Sequence, residues 1–429
     1  MKGQIVYHSE HGRGVAQVPR KGGLEYQVRF DNGVCRWIRV DQLELDQPRG
    51  HAASRPAATT TRPPNFIERK VIEALRLGIV PDEGLDLFTV GRDNELDVLK
   101  NWLASPDIAT QLLIGSYGTG KTHLLNYLRV FALSAGYAVS LVEMDPQETP
   151  FSKPKRVYSQ IVRNLQWRDG GRLQGFRQLV QRGLHDGLLR DHIYFQQRRG
   201  MNEAQFWDWI SGAEGTIRPA PDGGSRDIPA LYDYMTAANI YCYLLSGLGW
   251  LCRSRALGLK GLLILFDESE ALYASQGQLK MERSVNFLDA LITTAHDDPE
   301  LLKPAWDTDF IHSRHAGKIP FLYKRPSGLK LLFAFTSTDA LWLSRELESM
   351  LYMELEPLDT RHLTAMQSQI PKLYQKAYTK QAKPDPDLLG KLIQRIPKHT
   401  VSNTRAMVKA IVEALDISRS GLYSVEDIW

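Results

Sequence analysis

Eight consecutive residues, Gly115-Ser-Tyr-Gly-Thr-Gly-Lys-Thr122, constrain this chain more than any other feature. They form a G-x-x-x-x-G-K-T run placed where a strand hands over to a helix. Apolar Gln111-Leu-Leu-Ile114 precedes it, and Leu124, Leu125, Leu128 and Phe131 follow at helical spacing. Glycines let the backbone turn tightly enough for successive N–H groups to converge, and a helix N-terminus adds partial positive charge at the same point. Such a cradle suits phosphate. Lys121 is placed to reach β- and γ-phosphates, and the Thr122 hydroxyl to ligate Mg²⁺. Gly115, Ser116, Tyr117, Gly118, Thr119, Gly120, Lys121, Thr122 and His123 are the candidate nucleotide contacts. An accidental glycine-rich turn would not need strand, loop and helix in this order.

Two further apolar runs complete a candidate α/β core. Leu262-Leu-Ile-Leu-Phe266 reads as a buried parallel strand, and it ends in Asp267-Glu268. Carboxylates at a strand's C-terminal edge face the crevice where ligands bind in open α/β sheets. Asp267 is expected to hold Mg²⁺ and Glu268 to polarise an attacking water; the alternative is an acidic helix cap. Leu329–Phe335 ends in Thr336-Ser-Thr338. If this strand lies between the other two, Thr336 or Ser337 offers a hydroxyl to a γ-phosphate; otherwise the cluster caps a helix expected over Asp339–Leu347. From Leu358 onward the spacing is helical. Ser402 or Asn403 is a sensible N-cap for a helix over Ala406–Ile417. A cation at Arg405 in its first turn opposes the helix dipole, which points to an external anion. Arg405 is thus a candidate sensor that closes a lid on the γ-phosphate. Arg345, or Arg361, is a candidate finger acting on a neighbouring subunit's nucleotide, and an exposed surface arginine is the plain alternative.

The 429 residues suggest two or three domains. A net charge of +4 gives no global argument for nucleic acid, and Cys35, Cys242 and Cys252 make no metal spacing or disulfide framework. With no signal-peptide core and no apolar run of about eighteen residues, the expectation is a cytoplasmic protein without a membrane span. Residues 1–46 read as a small β-barrel. Tyr26, Val28 and Phe30 alternate with polar residues, Asn32-Gly33 signals a hairpin, and Gly12-Arg-Gly14 reads as a tight turn after a strand over Gln4–His8. Residues 47–65, rich in Pro, Ala, Thr and Arg, read as a flexible linker.

Between about 151 and 240 lies far more sequence than a minimal nucleotide-binding core needs. Lys153 to Arg199 holds eleven Lys or Arg against three Asp. Arg163, Arg168, Arg172, Arg177, Arg182, Arg190, Arg198 and Arg199 recur along what reads as a basic helical insertion. This is an electrostatic footprint for duplex or single-stranded DNA, or else a solvated face whose arginines pair with acids. Trp167, Phe176, Tyr194 and Phe195 are interleaved and are open to packing or to stacking. The stretch Glu203 to Asp227 reads as a protein-contact or mobile loop.

Val90-Gly-Arg-Asp-Asn-Glu95-Leu96 resembles the G-R-x-x-E-L opening of AAA+ ATPases, and with it the motif order from about Phe66 to Ile417 resembles their origin-recognition-like branch. The resemblance implies a P-loop parallel sheet over 66–357 with a helical lid over 358–429. It adds Gly91 and Arg92 to the nucleotide contacts. More narrowly, "ERKVIEALRLGIVPDEGL", "GSYGTGKTHLL" and "FDESEALY" resemble the BrxD-like ATP-binding proteins of BREX-type phage-defence islands. That implies ATP and Mg²⁺ as ligands, ATP hydrolysis coupled to DNA or protein remodelling, a helicase or other defence protein as partner, and a homo-oligomer. Residues 1–46 resemble SH3-like or Tudor-like barrels, in which the role is protein or nucleic-acid docking; the fused barrel departs from the minimal BREX form. A weakly hydrolysing adaptor and an origin-recognition-like loader are the rival readings.

Overall fold

The computed structural model describes residues 5–8, 12–20, 25–30, 35–39, 44–45, 64–81, 83–196, 201–213, 231, 237–273, 277–304, 319–378 and 404–420. The chain divides into two compact units, Met1–Pro63 and Pro64–Trp429.

The first unit is a five-stranded antiparallel sheet of β1 (Ile5–His8), β2 (Gly12–Arg20), β3 (Glu25–Phe30), β4 (Cys35–Arg39) and β5 (Glu44–Leu45), ordered β4-β3-β2-β1-β5. Val6, Ala16, Val28, Phe30 and Ile38 form its core. Val28 and Phe30 are buried and Arg29 between them is exposed, the period-two pattern of a half-buried strand. Gly12–Gly14, expected as a turn, instead opens β2. Gly14 pairs with Val6 on one side and Phe30 on the other, so a position without a side chain faces two buried ones. The Asn32-Gly33 turn and residues 47–63 of the linker lie outside the described residues.

The second unit is built on β6 (Thr110–Ile114), β7 (Ala138–Glu143), β8 (Gln166–Asp169), β9 (Arg172–Gly175), β10 (Leu262–Asp267), β11 (Leu329–Phe335) and β12 (Tyr352–Glu354). Their order is β12-β6-β11-β10-β7-β8-β9. The five strands from β12 to β7 are parallel, and β11 lies between β6 and β10 as the sequence reading required. The helices are α1 (Phe66–Leu77), α2 (Asp93–Ala104), α3 (Lys121–Ser134), α4 (Pro154–Asn164), α5 (Phe176–His185), α6 (Glu203–Ile210), α7 (Ala238–Cys252), α8 (Gln278–Ala295), α9 (Arg345–Glu348), α10 (Thr360–Ala377) and α11 (Thr404–Ser420).

Helices cover both faces of the sheet. Leu113, Val139, Leu263, Leu265 and Leu332 face α2 and α3. The alternate residues Leu112, Ile264, Phe266, Leu331 and Phe333 face a larger core shared with α4, α7 and α8. Every residue of β10 and β11 is buried, which is why both read as unbroken apolar runs. A third core joins α1, α10 and α11 through Val71, Leu75, Met366, Ile370, Val408 and Ile411. Arg76 of α1 bonds Asp416 of α11 at 2.7 Å, and Tyr374 of α10 donates to the same carboxylate at 2.7 Å. Thus α1, placed with the sheet by sequence, packs with α10 and α11 instead.

The segment 151–240 departs from the helical expectation. Residues 166–175 form a hairpin that adds β8 and β9 antiparallel to the edge of the sheet. Its turn uses Gly170 and Gly171 at φ 53° and 84°, both in the left-handed region. Trp167, Phe176, Tyr194 and Phe195 are buried, so they pack rather than stack on a ligand. Trp207 and Trp209, expected in a loop, lie in α6 and are buried too. The helix expected over Asp339–Leu347 is a 3₁₀ stretch, Thr338–Leu343, followed by the single turn α9. Arg198, Arg199, Ser402, Asn403 and most of residues 214–236 lie outside the described residues. Among the described residues no helix is long and apolar enough to cross a membrane.

Candidate nucleotide-binding site

The loop between β6 and α3 is anchored at its start and open at its end. Gly115 donates its N–H to Phe335 O at 3.0 Å. A Cβ there would stand 2.9 Å from Leu355 Cβ and 2.9 Å from Thr119 Oγ1, so only glycine fits. Gly118 and Gly120 hold φ of 82° and 106°, conformations that favour glycine. A Cβ on Gly120 would meet nothing within 4 Å, so the backbone there faces open space. Lys121 is buried, and its ammonium donates back to Gly115 O at 2.6 Å.

The acid pair comes to the same place from β10. Thr122 Oγ1 donates to Asp267 Oδ2 at 2.7 Å, and the Glu268 N–H donates to Asp267 Oδ1 at 3.0 Å. Burial raises the Asp267 carboxyl above its ordinary range, while Thr122, the Glu268 N–H and Lys121 oppose the shift. Glu268 adopts φ 53°, ψ 40°, an uncommon left-handed conformation for a non-glycine residue. Burial first, then the Glu270 and Asp267 carboxylates, push Glu268 up to about 7 against the pull of Lys121. Thr122 and Asp267 supply two hard oxygen donors on adjacent elements. That fits Mg²⁺, which takes few protein ligands and keeps waters and phosphate oxygens for the remainder.

A cleft open to solvent at its mouth runs from this loop toward α1, α10 and α11. Gly118 to His123 and Glu268 line its polar end; Ile79, Val80, Phe88, Val90, Met366 and Val408 line an apolar end. The α1 turn therefore contributes to the cleft, a role that helical periodicity alone could not reveal. Arg405 of α11 also lines the cleft. Its guanidinium bonds Tyr117 Oη at 3.0 Å and lies 5.4 Å from that ring's centre.

Arg92 lines the cleft but is wired into the backbone. It is 5 % exposed. Its Nη2 donates to Thr119 O at 2.8 Å and to Glu356 O at 2.9 Å, and its Nη1 to Glu95 at 2.6 Å. The arginine thus ties the phosphate loop to the segment leading into α10. Gly91 presses on α10 directly, since a Cβ there would fall 2.3 Å from the His362 ring. Neither contact was visible in sequence.

The remaining sequence candidates are not brought to the cleft lining. Ser337 accepts from the Asp339 N–H at 3.2 Å and bonds the Asp339 carboxylate at 2.9 Å, so it caps the 3₁₀ stretch. Thr336 lies half-buried beside it, and Arg345 is exposed at the start of α9. In the 151–240 segment Arg177 pairs with Glu203 at 2.6 Å and lies over Trp207 at 5.0 Å, while Arg182 stands 3.7 Å from Asp186 and 3.9 Å from Asp169. Arg163, Arg172 and Arg190 are exposed, with no ion pair among the described residues.

Residues 64–193 match the family described as "BREX system ATP-binding protein BrxC/D". No curated protein matches the chain. Solved structures to which the chain is similar include Drosophila ORC bound to DNA, at 15% identity and TM-score 0.34, covering 88% of this chain and 67% of that one. The Aeropyrum pernix ORC1 protein in complex with DNA is similar at 16% identity and TM-score 0.37, covering 80% of this chain and 64% of that one. AMPPCP-bound DnaA from Aquifex aeolicus is similar at 15% identity and TM-score 0.36, covering 81% and 69%. At that level of likeness, the assignment of fold rests on the strand order and the phosphate loop. The chain has a P-loop α/β fold, and over residues 64–193 it resembles the family described as BREX system ATP-binding protein BrxC/D.

Proposed function

We propose that this chain binds ATP in the cleft above Gly115–Thr122 and hydrolyses it. The observation that carries the reading is the 2.7 Å bond between Thr122 and Asp267, which brings the phosphate loop and the β10 tip to one point with Glu268 beside them. In this reading the loop N–H groups and Lys121 hold the phosphates. Glu268 accepts a proton from the attacking water. Arg405 leaves Tyr117 to meet the γ-phosphate, and the lid of α1, α10 and α11 closes with it. Mg²⁺, held by Thr122 and Asp267, would supply charge neutralisation at the β- and γ-oxygens.

The match to a BREX family supports a further reading, that hydrolysis is coupled to work on DNA or on a helicase or other defence protein in antiphage defence. The exposed Arg163, Arg172 and Arg190 favour a phosphate backbone as one substrate, whereas Arg177 and Arg182 already face acids. The N-terminal five-stranded unit is read as an SH3- or Tudor-like barrel that docks a protein. Arg345, exposed on α9, is kept as a finger for a neighbouring copy in a homo-oligomer. Steady-state ATP hydrolysis with and without duplex DNA tests these readings. DNA-stimulated turnover that weakens steeply with salt is expected. Stably bound nucleotide with no turnover would favour the adaptor instead.

A further inference from the structure

The cleft holds one side chain whose hydrogen-bonding state is fixed by its neighbours. The Thr89 hydroxyl has a single hydrogen, and it lies 2.6 Å from Leu85 O, which can only accept. His123 Nε2 lies 2.8 Å from the same hydroxyl oxygen. With the threonine hydrogen committed to Leu85, the second bond exists only if Nε2–H donates to Thr89. The neutral ring then carries its proton on Nε2, and Nδ1 is left as a bare acceptor. Nδ1 has no partner among the described residues. The ring is held edge-on against Phe88, with centroids 5.0 Å apart, and it lines the cleft between the phosphate loop and the apolar end.

We propose that His123 reads the nucleotide base: Nδ1 accepts a hydrogen bond from the exocyclic 6-amino group of adenine and faces the 6-oxo group of guanine lone pair to lone pair. The assignment rests on the nucleotide-site reading above and adds the source of its base preference. An apolar cleft end alone would accept either purine, because both offer the same flat ring to Ile79, Val80 and Val408. A single committed acceptor separates them, since a site built to accept a hydrogen bond penalises a ligand that cannot donate one.

Calorimetric titration of the full chain with Mg²⁺ and three nucleotides tests this: ATP, GTP, and purine riboside triphosphate, which carries only hydrogen at carbon 6. ATP should bind about fivefold to tenfold more tightly than purine riboside triphosphate, the worth of one neutral hydrogen bond, and more tightly still than GTP. His123→Phe should bring ATP and purine riboside triphosphate to within about twofold of each other, by lowering ATP affinity and not by raising the other. Thr89→Val removes the oxygen that holds Nε2–H. It should shift the ring ¹⁵N signals of the neutral tautomer toward the Nδ1–H form and shrink the same preference. Equal wild-type affinity for ATP and purine riboside triphosphate, or a preference unchanged in both variants, would overturn the assignment while leaving the nucleotide site in place. Absence of binding by all three would overturn the site itself and the base assignment with it.

Discussion

Arg92 offers the sharpest test of how the site is held together. Replacing it with methionine keeps most of the buried stem and removes the guanidinium. Two charge-assisted bonds to backbone carbonyls are lost, at 2.8 and 2.9 Å, and Glu95 loses a partner at 2.6 Å. Each such bond is worth about 1.5–3 kcal/mol, and breaking a buried charge pair costs about 3–5 kcal/mol. The three share one guanidinium, so they do not add, and the Glu95 side chain keeps 20% exposure, which lets water take up part of its charge. A net loss of about 3–4 kcal/mol is expected for Arg92→Met. Against a total of about 5–15 kcal/mol, that is a large fraction, and the urea midpoint of the second unit should fall by roughly 1 M or more. The effect also has a functional side. Thr119 O belongs to the phosphate loop and Glu356 O to the approach to α10, so releasing both frees the loop and the lid together. ATP affinity should fall about tenfold or more, and Arg92→Lys, which keeps the charge but cannot bridge both carbonyls, should lie between. Normal stability and normal ATP affinity in Arg92→Met would refute the clamp. Lost stability with unchanged affinity would refute its coupling to the phosphate loop.

Other perturbations probe separate parts of the mechanism. Glu268→Gln should bind ATP and slow turnover by about 10²–10⁴, and a rate equal to wild type in a steady-state assay would remove Glu268 from the role of base. Tyr117→Ala should raise ATP affinity about twofold to fivefold, because the exposed contact that holds Arg405 away from the phosphates is worth about 0.5–1 kcal/mol; unchanged or weaker binding by calorimetry would sink that reading. Burial holds the Lys330 ammonium down to about 8, from an ordinary 10.5, while its Nζ donates to the carbonyls of Trp102, Ser105 and Ile108. The unfolded chain therefore binds the extra proton between those values. Wild-type stability relative to Lys330→Met should climb as pH rises from about 8 to 10.5 and lose that gain as pH falls through about 8. Parallel slopes for the two proteins across that window, by urea titration, would contradict the shift.

The parts of the fold that were legible in the sequence are those written in local periodicity. β10 and β11 announce themselves as unbroken apolar runs because helices cover both their faces, and the phosphate loop announces itself because its glycines sit at left-handed positions between a strand and a helix. The hairpin β8–β9 carried a usable signal, Asp169-Gly170-Gly171, but strands of four residues are too short to establish a period, and the surrounding arginines suggested a solvated helix. The partnership of α1 with α10 and α11 had no local signature. Spacing shows which stripe of a helix is apolar, not which other stripe will cover it.

The wiring of the site was illegible for a different reason. Its decisive donors end on backbone oxygens: Arg92 on Thr119 and Glu356, Lys121 on Gly115, and Thr89 on Leu85. A carbonyl is present at every position, so the sequence carries no letter for the acceptor. Such bonds appear only when the fold brings a distant segment within reach, as when residue 356 meets residue 92. The consequence reaches the chemistry. A motif specifies which groups can touch a phosphate, but the resting position of Lys121 and the tautomer of His123 are set by carbonyls that no motif names. Substitutions at the exposed Glu356 that leave the backbone path intact should therefore keep ATP affinity, while Thr89→Val and Arg92→Met, which remove the donors, should weaken it.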